Sequence, residues 1–491
     1  MRIEELLIRA KGDSRDAIYC DGNVYCYKNL YEQAIILSKE IQNGNYSQNI
    51  LLVLENSFEY LVSYFAVLLS GRTVVPIRHT STTKEILDVI DFCEINLVLL
   101  DSKKLDQLFA ESQIPFNNIS IYIADRKLFV NKKKYSEFQL DDKGKDIALL
   151  IQTSGTSGNP KLVMLSHENL WENIQSVQHN FQFTKEDKTL IVLPLCLSSA
   201  NIHFLLHVYL TAKLVISKKP FYHVNFLDIL EKENITNCIC VPWIFKCFVE
   251  KSRGRSFQAL KCIGSSAGIM DGQLYRRALE MYPNMVFFNC YGQTEASPRI
   301  SHNRIDLLNR KYDSVGKPLR NIRVKILNEE GKEMNENQKG EIVVKGPNIM
   351  LGYYKNPIET ESCIKNGWLH TGDIGYKDLD GYIYLSGRLK NIIISNGNNI
   401  FPEEVENIIL QCPGVMDVMV YGKKHDQYQE IPVAKVVIDS SVISLQQLNN
   451  FCLKHLQRYK CPKKFEICSS IEKTVSGKII RRKQNGDRNI Y

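Results

Sequence analysis

A chain of 491 residues with 44% hydrophobic and 24% charged content can bury several cores, so two or more domains are expected. Its net charge of +8 is mild for that length and no nucleic-acid motif accompanies it, which excludes a nucleic-acid partner and leaves at most a weak pull on polyanions such as nucleotides. No run of about 18 apolar residues occurs, which excludes a membrane-spanning helix. The first twenty residues carry Arg2, Glu4, Glu5, Arg9, Lys11 and Asp13 without an apolar segment, against a secretory signal, and the terminal Arg488, Asn489, Ile490 and Tyr491 match no peroxisomal or lipidation address. Fourteen cysteines lie scattered, the closest pair being Cys238 and Cys240 on one side of an apolar run, and they read as reduced, mostly buried thiols of a cytoplasmic protein. None has zinc spacing, so no structural metal is expected.

In chain order, Ile50 to Leu54 suits a buried parallel strand, and Ser57 to Leu69 follows with Phe58, Leu61, Val62, Phe65 and Leu68 at helical spacing until Gly71 stops it. Val74 to Ile77 gives a strand, Thr82 and Glu85 form a capping-box pair opening a helix through Ile90, and Leu97 to Leu100 gives another strand. The rhythm returns in Leu190 to Leu193, Leu214 to Ile216, Cys238 to Val241 and Val286 to Tyr291. From about Val315 the texture turns to short alternating strands with Gly-bearing turns, as in Gly340 to Gly346 and Gly381 to Leu385. After Lys390 comes a compact mixed segment of about 100 residues, small enough to be a separate lid. The expected fold is α/β: a large N-terminal domain, residues 1–389, of two α/β lobes plus a small β-rich subdomain, followed by a mobile small α+β C-terminal domain, residues 390–491.

The sharpest motif is Thr153-Ser154-Gly155-Thr156-Ser157-Gly158-Asn159-Pro160-Lys161, directly after the apolar strand Ile147 to Ile151. Hydroxyls, two glycines and a lysine on a strand-exit loop can wrap polyphosphate with backbone N–H groups, hydroxyl donors and one cation. It departs from the P-loop pattern because Pro160 stands where a second glycine is required, so a P-loop kinase or NTPase is disfavoured.

Four more blocks follow: Tyr291-Gly292-Gln293-Thr294-Glu295, Gly367-Trp368-Leu369-His370-Thr371-Gly372-Asp373, Gly387-Arg388-Leu389-Lys390 and Ser476-Gly477-Lys478. In this order and spacing, over roughly residues 20 to 485, the chain resembles the adenylate-forming superfamily of AMP-dependent synthetases and ligases, which includes acyl-CoA synthetases, peptide-synthetase adenylation domains and luciferases. The resemblance implies an ATP- and Mg2+-dependent enzyme that joins a small carboxylic acid to AMP and passes the acyl group to a thiol, either coenzyme A or the phosphopantetheine of a carrier protein. It implies nucleotide binding by Thr153, Ser154, Gly155, Thr156, Ser157, Gly158, Lys161, Ser266, Tyr291, Gly292, Asp373 and Arg388, with catalytic roles for Thr294, Glu295 and Lys478. Physically, the Thr294 hydroxyl just past a strand end can donate to the α-phosphate, and Glu295 offers a hard oxygen for Mg2+. Asp373 can accept from both ribose hydroxyls, with Arg388 a cation nearby. Lys478 can stabilise the charge gathered when a carboxylate attacks phosphorus. Lys390 is the implied hinge, and Gly397, within Ser395-Asn396-Gly397, the implied lining of the thiol tunnel. Leu197, Ser198, Ser265, Ser266 and Cys290 are the candidate walls of the acyl pocket.

The sequence departs from the family in carrying Leu162 where glycine is usual, which makes a left-handed backbone unexpected there. Ser157 replaces a threonine, and Leu197 stands where many relatives carry a His or aromatic gate. Between Leu193 and Asn201 there is no acid to hold an α-ammonium group, which favours an acyl acid over an amino acid. Two other readings stay open: an amino-acid adenylating enzyme, and a non-catalytic nucleotide-binding protein on the same fold. The joint presence of Thr294, Glu295, Asp373, Arg388 and Lys478 weighs against the latter.

Overall fold

Residues 49–53, 73–76 and 97–100 are apolar throughout or nearly so, and a strand of that composition must be covered on both faces. In the computed structural model these runs form the parallel centre of a sheet. The structure describes the chain except residues 112–118, 133–145, 154–160, 218–222, 269, 397, 426, 474–478 and 482–491. Among the described residues this sheet has eight strands, in the order Gly352–Tyr353, Lys161–Ser166, Ile147–Thr153, Thr73–Pro76, Asn49–Val53, Leu97–Leu100, Ser120–Ile123 and Leu128–Val130. The five inner strands from Ile147–Thr153 to Ser120–Ile123 run parallel, and the outer pairings are antiparallel. Helices start where the sequence supplies a cap. Ser57 accepts the Tyr60 N–H ahead of Phe58–Leu69, and Thr82 and Glu85 cap reciprocally ahead of Thr83–Cys93, which runs past Ile90.

The second lobe is a nine-stranded sheet whose inner strands, Ile18–Cys20, Lys213–Ile216, Lys188–Ile191, Asn237–Cys240, Cys262–Ser265 and Val286–Tyr291, are parallel. Two of its features are long-range. The N-terminal hairpin Ile18–Tyr25 joins this distant sheet, and Gly352–Tyr353 leaves the β-rich region to edge the first sheet. The β-rich region forms a third, antiparallel sheet built on Arg323–Leu327, Gly340–Lys345, Trp368–Lys377 and Ile383–Arg388.

A fourth sheet, with strands from Ile393–Ser395 to Lys464–Ile467 and the helices Pro402–Leu410 and Leu445–His455, encloses a core of its own around Ile400, Val405, Val420, Val436 and Leu448. It meets the larger body at Lys339, which pairs with Glu404 and lies over the Phe401 ring, while Lys460–Glu404 and Asn391–Glu403 are contacts within the small domain. The fold is thus α/β with a large N-terminal and a small C-terminal domain.

Leu162 pairs with Gln152 in an ordinary strand, and its side chain is fully buried against the cluster holding Leu51, Val53, Leu100 and Leu150. The departure from glycine therefore fills core rather than reshaping a turn. Leu162→Ala should destabilise the large domain by about 2–5 kcal/mol, seen as a lower urea midpoint at unchanged slope.

Candidate active site

The site forms where the carboxyl end of the strand Val286–Tyr291 meets the antiparallel sheet. Only glycine fits at position 292, since a Cβ there would stand 1.7 Å from the Pro298 carbonyl oxygen. The chain then turns sharply into a 3-10 turn, Thr294–Ala296, which sets two half-buried side chains, Thr294 and Glu295, at the sheet end. Thr294 Oγ1 lies 2.9 Å from Ser198 Oγ, at the first turn of the helix Ser198–Tyr209 that Leu197 precedes.

The Glu295 carboxylate accepts the Tyr353 hydroxyl at 2.8 Å. Tyr353 comes from the edge strand of the first sheet, and the Lys161 ammonium rests 4.0 Å over its ring while pairing with Glu359 at 2.6 Å. Burial first, and then the Glu295 charge, push the Tyr353 phenol far above its usual range, so it is a permanent donor.

Asp373 and Arg388 face each other across the register of Trp368–Lys377 and Ile383–Arg388, and Arg388 Nε reaches Asp373 Oδ1 at 2.8 Å. The other carboxylate oxygen accepts the Tyr291 hydroxyl at 2.8 Å. Asp373 is buried, and the Thr371 hydroxyl holds its turn by accepting the Asp373 N–H and donating to the Ile342 carbonyl. The Asp373 charge raises the Arg388 pKa above its usual value, and burial and then Asp373 raise that of Tyr291, so the guanidinium stays charged and the phenol stays a donor. Lys390, in the 3-10 turn Leu389–Asn391, is exposed. Its pKa is held below the usual value by desolvation and then by the Arg388 and Lys161 cations, with Asp373 and Glu295 opposing. Its ammonium is therefore within electrostatic reach of the same charged groups.

Lys161, Ser198, Tyr291, Thr294, Glu295, Asp373, Arg388 and Lys390 are thus brought together. Thr153 Oγ1 sits 3.4 Å from the Lys161 carbonyl and closes the base of the hydroxyl-rich loop. Ser154, Gly155, Thr156, Ser157, Gly158, Gly397 and Lys478 lie outside the described residues. Ser266 and Cys290 are buried on the site's side of their strands, near Arg299. Ser265 is a correction: it does not join them. Strand residues alternate, so Ser265 turns to the opposite face, toward Tyr275 and the second lobe's own core. Tyr353, Glu359 and Arg299 are the residues sequence reading missed, because each reaches the site from a segment without a local signal.

The donor set fits a magnesium nucleotide. Glu295 offers hard oxygens at the sheet end, as suits an ion that takes one or two carboxylates and completes its shell with phosphate and water.

A buried, doubly held carboxylate, a hydroxyl pair and a second carboxylate at a sheet end, and the nearby Lys161 are features that a nucleotide-dependent carboxylate-activating class requires. The chain belongs to the AMP-binding enzyme family, whose model matches residues 8–354 and whose C-terminal domain model matches residues 404–478. The oxalate–CoA ligase of Arabidopsis thaliana is 29% identical over 456 residues, covering 88% of this chain and 87% of that protein. A 2-succinylbenzoate–CoA ligase of Bacillus mycoides is 27% identical over 480 residues, covering 95% of each. The o-succinylbenzoate CoA synthetase of Bacillus subtilis, solved with its acyl-adenylate intermediate, superposes with a TM-score of 0.85 at 26% identity, covering 99% of both chains. This chain is accordingly an AMP-forming acid–thiol ligase, which makes an acyl adenylate and then a thioester.

Tyr353→Phe removes a hydrogen bond to a charged group, of about 1.5–3 kcal/mol. It should raise the Mg2+ concentration needed for half-maximal ATP–pyrophosphate exchange by roughly tenfold or more, as read in a Mg2+ titration.

Proposed function

We propose that this chain is an acid–coenzyme A ligase for an acyl acid without an α-amino group. The observation that carries it is the convergence of the Ser198–Thr294 hydroxyl pair, Glu295 and the Asp373–Arg388–Tyr291 cluster on one sheet end. Asp373 is set to accept the ribose hydroxyls, the Thr294 hydroxyl to donate to the α-phosphate, and Glu295 to hold Mg2+ with phosphate and water completing the shell. Lys161 and the loop from Thr153 take the polyphosphate. Lys478 neutralises the two anions that adenylation brings together. The relatives' names support coenzyme A as the acceptor, and their acids, oxalate and 2-succinylbenzoate, lack an α-amino group and carry two carboxylates each.

The two units, residues 1–389 and 390–491, move about Lys390, so that the C-terminal unit presents Lys478 for adenylation and Gly397 for acyl transfer. Its separate core and the Lys339–Glu404 ion pair at the seam with the large body support such motion. Fourteen free thiols, and no described helix long and apolar enough to cross a membrane, support a cytoplasmic setting.

Purified protein should exchange labelled pyrophosphate into ATP only with a suitable acid present, and should form the thioester with coenzyme A in preference to a phosphopantetheinylated carrier protein. Better turnover of the matched α-amino acid would overturn the acid class, and faster carrier acylation would overturn the acceptor. Glu295→Ala should abolish most Mg2+-dependent exchange.

The half-reactions should also separate. Lys478→Ala should slow adenylation by on the order of 10^2 to 10^3 while sparing thioester formation from supplied acyl adenylate. Lys390→Pro fixes φ and restricts Leu389, so it should keep exchange and lose acyl transfer. Equal loss of both steps in both variants would rule out domain alternation.

A further inference from the structure

Arg299 is 2% exposed, and burial holds its pKa below the usual value. Its Nη1 donates to Ser266 Oγ at 2.5 Å, and its Nη2 donates to Ser199 Oγ at 3.0 Å and, more weakly, to the Ser199 carbonyl at 3.5 Å. Nε has no acceptor, and no carboxylate among the described residues pairs with the guanidinium. Its titratable neighbours bring no negative charge either. His203 and His302 are pushed well below their usual range by burial first, with the Arg299 cation adding to the effect, so both stay neutral. The Cys290 thiol is pushed up to about 11 by burial and stays protonated. A buried, hydrogen-bonded but uncompensated cation is destabilising, and interiors ordinarily pair it with an anion.

The position of this cation gives it a use. Ser199 follows Ser198, whose hydroxyl is 2.9 Å from Thr294, and Cys290 precedes Tyr291, which holds Asp373. The guanidinium is therefore hydrogen-bonded to the residue next to Ser198 and lies close to the residue before Tyr291, which puts it near the hydroxyl pair of the site. Leu197 and Ser198, both half-buried, border that place. The Ser266 hydroxyl accepts from Arg299 and, at 3.5 Å, from Ser199 Oγ, leaving its own proton for a ligand oxygen, and Ser199 can turn its weakly held proton to the same ligand.

We propose that Arg299, flanked by Ser199 and Ser266, binds a second carboxylate of the acid, so that the enzyme selects dicarboxylic acids and activates the carboxylate further from Arg299. This inference rests on the acid-ligase reading of the same site. It names a specificity-determining residue, since the second carboxylate supplies the missing anion and Arg can meet it with a planar fork.

The test uses acid pairs of equal length, succinate against butyrate and against succinic half-amide, with glutarate and oxalate and their monoacid analogues, in ATP–pyrophosphate exchange by the full-length protein. With at least one diacid, kcat/KM should exceed that of its monoacid and half-amide by about 10^2 or more. Arg299→Gln should collapse this ratio towards one, chiefly by raising KM for the diacid. Arg299→Lys, which keeps the charge but not the fork, should keep the preference, weakened by roughly tenfold. Thermal shifts of the wild-type protein without ATP should be larger with the preferred diacid than with its half-amide, a readout independent of turnover. Exchange with monoacids and no diacid preference in the wild type would overturn the role of Arg299 and leave the ligase reading standing. An unaltered ratio in either folded variant would overturn it too. No exchange with any acid would instead count against the ligase reading itself.

Discussion

Asp373 sits between a phenol from one sheet and a guanidinium from another, each 2.8 Å away, and the site's geometry hangs on that junction. Tyr291 ends the last parallel strand of the second lobe, whereas Asp373 and Arg388 face one another in the antiparallel sheet. A buried carboxylate is costly unless it is paired and hydrogen-bonded. Satisfying this one therefore locks the two sheets in a single relative position. The same position places Thr294, three residues after Tyr291, beside Ser198, and Glu295 beside Tyr353 of the first sheet. Three separate layers thus depend on one carboxylate for their common edge.

The electrostatics follow the task of bringing two anions together. Lys161, Arg388 and Lys390 crowd one place, and Lys390 registers the crowding as a depressed pKa whose leading cause is desolvation. Their repulsion is offset by Asp373, Glu295 and Glu359, which hold the cations in place. A lysine surrounded in this way prefers an incoming phosphate or carboxylate. Fixed charges and donors of this kind need little reorganisation when the reaction develops charge, which is the main way such sites lower a barrier.

The small domain contrasts with this rigidity. Its core is complete without the large body, and the seam between them includes the Lys339–Glu404 ion pair, with Lys339 also over the Phe401 ring. Exposed ion pairs contribute little and exchange readily for water. The connection passes through a short 3-10 turn at Leu389–Asn391.

The sequence by itself determined the α/β class, the strands and helices with clear apolar periodicity, the capping box at Thr82 and the family to which the chain belongs. These are local signals: spacing, caps and contiguous motifs. It also placed Thr294, Glu295, Asp373 and Arg388 in motifs, without saying that Tyr291 and Arg388 would grip the two oxygens of Asp373. Only the tertiary structure decided that the hairpin near Tyr19 joins the far sheet, that Tyr353 supports Glu295, and that Ser265 turns away while Ser266 turns in. Pairing between strands hundreds of residues apart leaves no local pattern, and a one-residue step along a strand reverses the face. Arg299 is the extreme case. In the sequence it is an ordinary arginine after a proline, and its burial without a counter-charge arises only from what the fold stacks around it.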